Sequence, residues 1–250
     1  MCYLCKNKYI IIINNDYFQF YEFMKHIIAS LLMLCCVAAG AYEYKLFGET
    51  YTYSNSYTDS NSGITYALRT SSDGSLYAVV IKTKQFVMRF GQSVTYQGKT
   101  YSVDAVADYA FETYNVTEVH TGNSMESIGN YAFQGCSDLT KAVLGNNIQY
   151  IGTGAFQQCK NLQILKMGPN IISIGNYAFA GCSIQHLELP SSITGIGMGA
   201  FLGDINIKLI DWDLAPGKIS EENIRQAFPK EITTTVLVRT KTKKQAEEAR

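Results

Sequence analysis

An Ala-Phe pair recurs five times along the middle of the chain at almost constant spacing, and this recurrence restricts the fold more than any other feature. The pairs are Ala110-Phe111, Ala132-Phe133, Ala155-Phe156, Ala178-Phe179 and Ala200-Phe201. Successive phenylalanines lie 22, 23, 23 and 22 residues apart. Ile-Gly precedes four of them, as Ile128-Gly129, Ile151-Gly152, Ile174-Gly175 and Ile196-Gly197. A polar bend ending in cysteine follows three, at Cys136, Cys159 and Cys182. Short apolar alternations come next: Leu139, Ala142, Leu144; Leu162, Leu165, Met167; Ile184, Leu187, Leu189. A unit this short cannot bury its apolar face alone and must stack on its neighbours, so the period predicts a solenoid.

Each unit reads as a strand, a bend, and a tight turn carrying Ala-Phe. The phenylalanines should form an internal column, with each small alanine letting adjacent coils approach. Strand side chains alternate between faces, so Thr117, Thr140, Gln163 and Gln185 should project outward together with the residues after them. The candidate binding rows are Glu118 and His120, Lys141 and Val143, Ile164 and Lys166, His186 and Glu188. The three cysteines occupy equivalent places and should stack about one strand spacing, ~5 Å, apart. They read better as small buried residues in a tight bend than as a metal or redox column. The end units are atypical, as capping requires: Thr113-Tyr114 and Gly203-Asp204 replace Gly-Cys.

The pattern L-x-x-L-x-L, then Gly145, Gly168 or Pro190, then I-G-x-x-A-F-x-x-C, resembles the BspA-type leucine-rich repeat of bacterial surface and secreted proteins, also found in some protists. The resemblance covers about 100 residues directly. It implies an α/β-type repeat solenoid, mainly β: a right-handed leucine-rich-repeat stack with an N-terminal β cap and a C-terminal cap. It also implies binding or adhesion rather than a shared catalytic site.

The flanks set the expected domain organisation. Residues 1–41 comprise upstream sequence and a signal peptide (24–41): Met24-Lys25-His26 gives a positive start, Ile27 to Ala39 is apolar, and Ala39-Gly40-Ala41 is a small-x-small site. Cleavage after Ala41 would leave Tyr42 at the mature N-terminus. Residues 1–23 read as translated upstream sequence or as a long n-region. Cys35 and Cys36 lie in the apolar run, but Leu34 and Cys35 are poor lipobox residues, so membrane attachment enters only through lipidation. Residues 42–62, rich in Tyr, Thr, Ser and Asn, read as a flexible lead-in with one strand at most. Residues 63–101 read as an N-terminal β cap with turns at Asp73-Gly74 and Gln97-Gly98, residues 102–214 as the repeats, and 215–250 as a C-terminal cap and tail. Within that last segment Ser220 is a candidate N-cap, Ala227-Phe228-Pro229 a helix end, and Thr233 to Val238 a final strand.

Chemistry is sparse. Lys and Arg total 21 against 21 Asp and Glu, so no global field attracts nucleic acid. The mature histidines, His120 and His186, fall on strands two or more coils apart and cannot share a site. The run Gly195-Ile196-Gly197-Met198-Gly199 is in register with the repeat turn, which explains it without a phosphate loop. Asp211-Trp212-Asp213 is a poor cation loop. Asn115-Val116-Thr117 is a glycosylation sequon wherever the host has the machinery. No cofactor, metal site or catalytic set is expected, and the chain is not expected to be an enzyme. The expected function is that of an exported protein, secreted or held at the cell surface or in the periplasm, that binds a protein or glycan through the outward strand rows named above. A structural spacer or envelope component and, less well supported, an enzyme inhibitor are the alternatives.

Overall fold

The computed structural model describes residues 42–53, 55–83, 85–212 and 219–230. The signal segment, the leader cysteines, Asp213, the strand expected at Thr233 to Val238 and the charged tail lie outside the described residues. Contact density divides the chain at Tyr42/Glu43, and the architecture below is that of the second unit.

It is mainly β. Strands β1 (Tyr42–Leu46) and β2 (Glu49–Tyr53) pair with each other. Strands β3 (Asn55–Thr58), β4 (Thr65–Thr70) and β5 (Leu76–Lys82) form an antiparallel set, followed by β6 (Val87–Arg89), β7 (Ser93–Tyr96) and β8 (Lys99–Val106). The coils then alternate between two parallel sheets. One sheet takes β10 (Ser127–Ile128), β12 (Tyr150–Ile151), β14 (Ser173–Ile174) and β16 (Gly195–Ile196), which continue the ladder from β8. The other takes β9 (Glu118–His120), β11 (Lys141–Val143), β13 (Ile164–Lys166), β15 (His186–Leu189) and β17 (Leu209–Trp212), with β6 before β9. The result is a parallel β-solenoid of about five turns.

Its interior is the predicted aromatic column, longer than the repeat count suggests. Phe111, Phe133, Phe156, Phe179 and Phe201 are fully buried, with successive ring centroids 5.2, 5.1, 5.3 and 5.5 Å apart. Phe90 extends the column at one end, 6.1 Å from Phe111, and Phe228 at the other, 4.9 Å from Phe201. Offset ring pairs of this kind contribute roughly 0.5–1.5 kcal/mol each beyond simple burial. The backbone follows the same ladder: the Phe133, Phe156 and Phe179 amides donate to the carbonyls of Ala155, Ala178 and Ala200 in the following coil.

The last coil has no sixth repeat above it, and helix α1 (Glu221–Ala227) serves in its place. Ser220 caps that helix by accepting from the Asn223 amide at 3.1 Å. At its other end the Gln226 and Ala227 carbonyls accept from Gly199 and Phe201 at 2.7 and 2.9 Å. Ala227-Phe228 thus offers the exposed coil a carbonyl and a ring where another Ala-Phe pair would have done so.

Close approach between coils explains Ile-Gly. A Cβ on Gly152 would lie 2.6 Å from the Gly129 carbonyl carbon and the Asn130 amide nitrogen, inside the contact limit, and Gly175 meets Gly152 in the same way. The cysteines are free and buried. Their thiols donate to the Phe carbonyl of the preceding coil: Cys136 to Phe111 and Cys159 to Phe133 at 3.1 Å, Cys182 to Phe156 at 3.3 Å. Burial pushes the Cys159 and Cys182 thiols well above the usual range, which keeps them protonated as donors. Asp204 holds the corresponding place in the fifth coil. It is wholly buried, and neither carboxyl oxygen makes a well-formed hydrogen bond.

Residues 42–62 depart from the sequence expectation, which allowed one strand at most; three strands form there. The β4 and β5 side chains alternate, with Tyr66, Leu68, Ala78 and Val80 facing the main core and Ala67 and Val79 facing away. The β1–β2 hairpin covers that second face, packing Tyr44 with Ala67, Val79, Ala105 and Ala107. Asp108 anchors its turn, accepting from the Phe47 and Gly48 amides at 2.7 and 2.6 Å and from Asn130 at 2.7 Å. Tyr44 and Tyr53, with Leu46, do the packing there, which is why no apolar alternation is visible in the sequence.

Candidate functional site

The outer face of the β6–β17 sheet carries all eight residues singled out from the sequence. Parallel register places Lys141 beside Glu118, Ile164 beside Lys141, and His186 beside Ile164, forming one row. Val143 beside His120 and Lys166 beside Val143 begin a second row, which Glu188 continues on β15. Between the rows, Val119, Ala142, Leu165 and Leu187 point inward and are buried. Ile164, Lys166, His186 and Glu188 are exposed; Glu118, His120, Lys141 and Val143 are half-buried.

Both rows begin one strand earlier than the sequence reading placed them. β6 pairs with β9 so that Val87 adjoins Glu118 and Arg89 adjoins His120, with Met88 buried between them. The alternation Val87-Met88-Arg89 was visible in the sequence. Without an Ala-Phe pair after it, the segment read only as part of the cap.

Electrostatically the face is mixed. The His120 ring nitrogen lies 2.8 Å from the Glu118 carboxylate, and Lys141 lies 3.8 Å from it. The His120 hydrogen bond, assisted by Lys141 and Arg89, holds the Glu118 carboxyl below its ordinary range. At the far end His186 and Glu188 approach to 3.7 Å. Acidic, basic and apolar groups are thus interleaved, with Ile164 49% exposed among them. His120 and His186 stand on strands separated by β11 and β13, so the structure does not bring them together. Among the described residues, no group of three or more His, Cys, Asp and Glu side chains is placed to share a metal ion. No helix among them is long and apolar enough to cross a membrane.

Parallel ladders on two sides of a buried phenylalanine column, with a polar strand face outside, define a leucine-rich-repeat solenoid. The chain belongs to the family described as the BspA type leucine rich repeat region, which matches residues 81–208 in six copies. The match thus counts one unit more than the Ala-Phe pairs and starts at the end of β5. Members are typically surface-type proteins, and solenoids of this class generally mediate protein interactions. A leucine-rich repeat protein from Bacteroides ovatus ATCC 8483 is 26% identical, with a TM-score of 0.55 over 66% of this chain and 43% of its own. This chain therefore spans less than half of that relative's length. The leucine-rich repeat protein of T. pallidum is 19% identical, with a TM-score of 0.54 over 72% of this chain and 94% of its own, a likeness of fold alone. No curated protein matches the chain.

Proposed function

We propose that this is an exported interaction protein that binds a protein or glycan partner through the outer face of the β6–β17 sheet. The supporting observation is the in-register arrangement of Val87, Glu118, Lys141, Ile164 and His186 beside Arg89, His120, Val143, Lys166 and Glu188. A repeated scaffold that presents many modest contacts needs no single dominant residue, and the mixture of signs fits a protein or a neutral glycan better than a polyanion. Export rests on the apolar run before Ala41, and an N-terminus at Tyr42 in protein recovered from the producing cell is its test. For the binding face, partners captured from surface extracts by the wild-type protein are re-measured against a Lys141→Glu/Lys166→Glu double variant. Loss of binding with an unchanged thermal melt is expected, whereas unchanged affinity rejects this face.

A further inference from the structure

We infer that a second site, a shallow pocket beside the first coil, binds a neutral saccharide. None of its lining residues belongs to the outward strand rows, and it does not depend on their role. The pocket is lined by Gln85, Phe86, Thr113, Tyr114 and Asn115 and encloses about 330 Å³, at the small end of ligand sites. Phe86 is 65% exposed and Tyr114 38% exposed. Both rings thus reach solvent at one pocket, whereas Phe111, Phe133, Phe156, Phe179 and Phe201 are fully buried.

Neither ring hangs on a loose backbone. The Phe86 carbonyl accepts from both the amide and the hydroxyl of Thr117, at 2.7 and 3.3 Å. The Tyr114 ring meets Phe111 edge-on at 6.3 Å, so the buried column fixes its orientation. The platform is therefore built before any ligand arrives, which lowers the ordering cost of binding.

The chemistry of the rim selects the ligand. Aromatic faces carry negative charge density that attracts the weakly positive C–H bonds on one side of a pyranose ring. Around them stand two amides, Gln85 and Asn115, and two hydroxyls, Thr113 and Tyr114, each able to donate and accept. Among the described residues, no charged side chain lines the pocket, in contrast to the strand face, where Glu118, His120 and Lys141 cluster. A neutral polyhydroxylated ring satisfies stacking and amide groups together. Among the described residues, a phosphate or uronate would find no cation at this rim.

The test uses the full chain made in a host without N-glycosylation, so that Asn115 is bare. Chitotetraose, cellotetraose, maltotetraose and mannotetraose are each titrated and followed by saturation-transfer NMR and calorimetry. At least one should bind. Phe86→Ala should weaken it tenfold or more with the thermal melt unchanged, and Phe86→Trp should retain it. The Lys141→Glu/Lys166→Glu variant should bind the sugar as the wild type does, so failure of the strand-face proposal and of this one are distinguishable. No binding by any of the four sugars at millimolar concentration would overturn the inference. So would binding that survives Phe86→Ala, or tighter binding of an acidic oligosaccharide or a peptide at the same residues.

Discussion

Replacing Asp204 with asparagine should stabilise this protein, and by more at pH 8 than at pH 5. Asp204 sits in the fifth coil where Cys136, Cys159 and Cys182 sit in earlier ones, and those thiols each donate a proton to a Phe carbonyl of the coil before. An ionised carboxylate cannot donate. Burial pushes the Asp204 carboxyl up from 3.8 to about 8, offset only in part by the nearby Ile184 amide. An acid whose folded pKa is raised holds its proton in the folded state after the unfolded chain has lost it. Stability therefore falls as pH rises between 3.8 and about 8, at about 1.4 kcal/mol per pH unit. Above that window the penalty is complete; below it there is none. From pH 5 to pH 8 the expected loss is on the order of 4 kcal/mol. Asparagine removes the titration and supplies an N–H donor of similar size. Urea denaturation of the wild type and Asp204→Asn at half-unit steps from pH 5 to 8.5 measures the difference directly. The two curves should diverge with rising pH. Parallel curves, or a variant less stable at pH 8, would mean that Asp204 is partnered or hydrated and would refute the reasoning.

Three further substitutions probe the scaffold. Phe156→Ala, at the centre of the ring column, should cost about 3–5 kcal/mol from lost burial and the cavity left behind, seen as a large drop in the urea midpoint. Gly152→Ala forces a Cβ to within 2.6 Å of the Gly129 and Asn130 backbone. It should therefore destabilise the chain, and thermal melting of the variant against the wild type measures the loss. Asp108→Ala removes the acceptor for the Phe47, Gly48 and Asn130 amides and should cost about 1–3 kcal/mol locally. Hydrogen exchange should rise across 42–53 while the amides of β11 and β13 keep their protection.

The inner five rungs were legible because a coil has a fixed length, and side chains that stack on one another must recur at that length. The strand face was legible for a related reason: a period of two separates Glu118 and His120 from Val119 without reference to anything distant. Register between coils follows from the same spacing, so the rows Glu118-Lys141-Ile164-His186 and His120-Val143-Lys166-Glu188 could be written down from the sequence. The saccharide pocket could not. It joins Gln85 and Phe86 to Thr113, Tyr114 and Asn115 through the Thr117 contacts with Phe86, and no period links those segments. The hairpin at 42–53 was hidden because its packing face is tyrosine and its anchor, Asp108, is a lone acidic residue more than fifty positions away.

The two ends of the column show why the repeat hides its own caps. Phe90 precedes Phe111 by 21 residues, close to the period, but stands in Arg89-Phe90-Gly91 with neither the alanine nor the Ile-Gly of a true unit. Phe228 follows Phe201 by 27 residues, because the route to it runs through α1, and its Ala227-Phe228 pair reads locally as a helix end. A cap need match only the surface it covers, namely a ring to stack on and carbonyls for the last amides. It must differ from a repeat everywhere else, since a full unit would expose a fresh apolar face and an open ladder of its own. Each cap therefore keeps the one phenylalanine that the column requires and discards the surrounding pattern by which a phenylalanine of this chain is recognised as a rung.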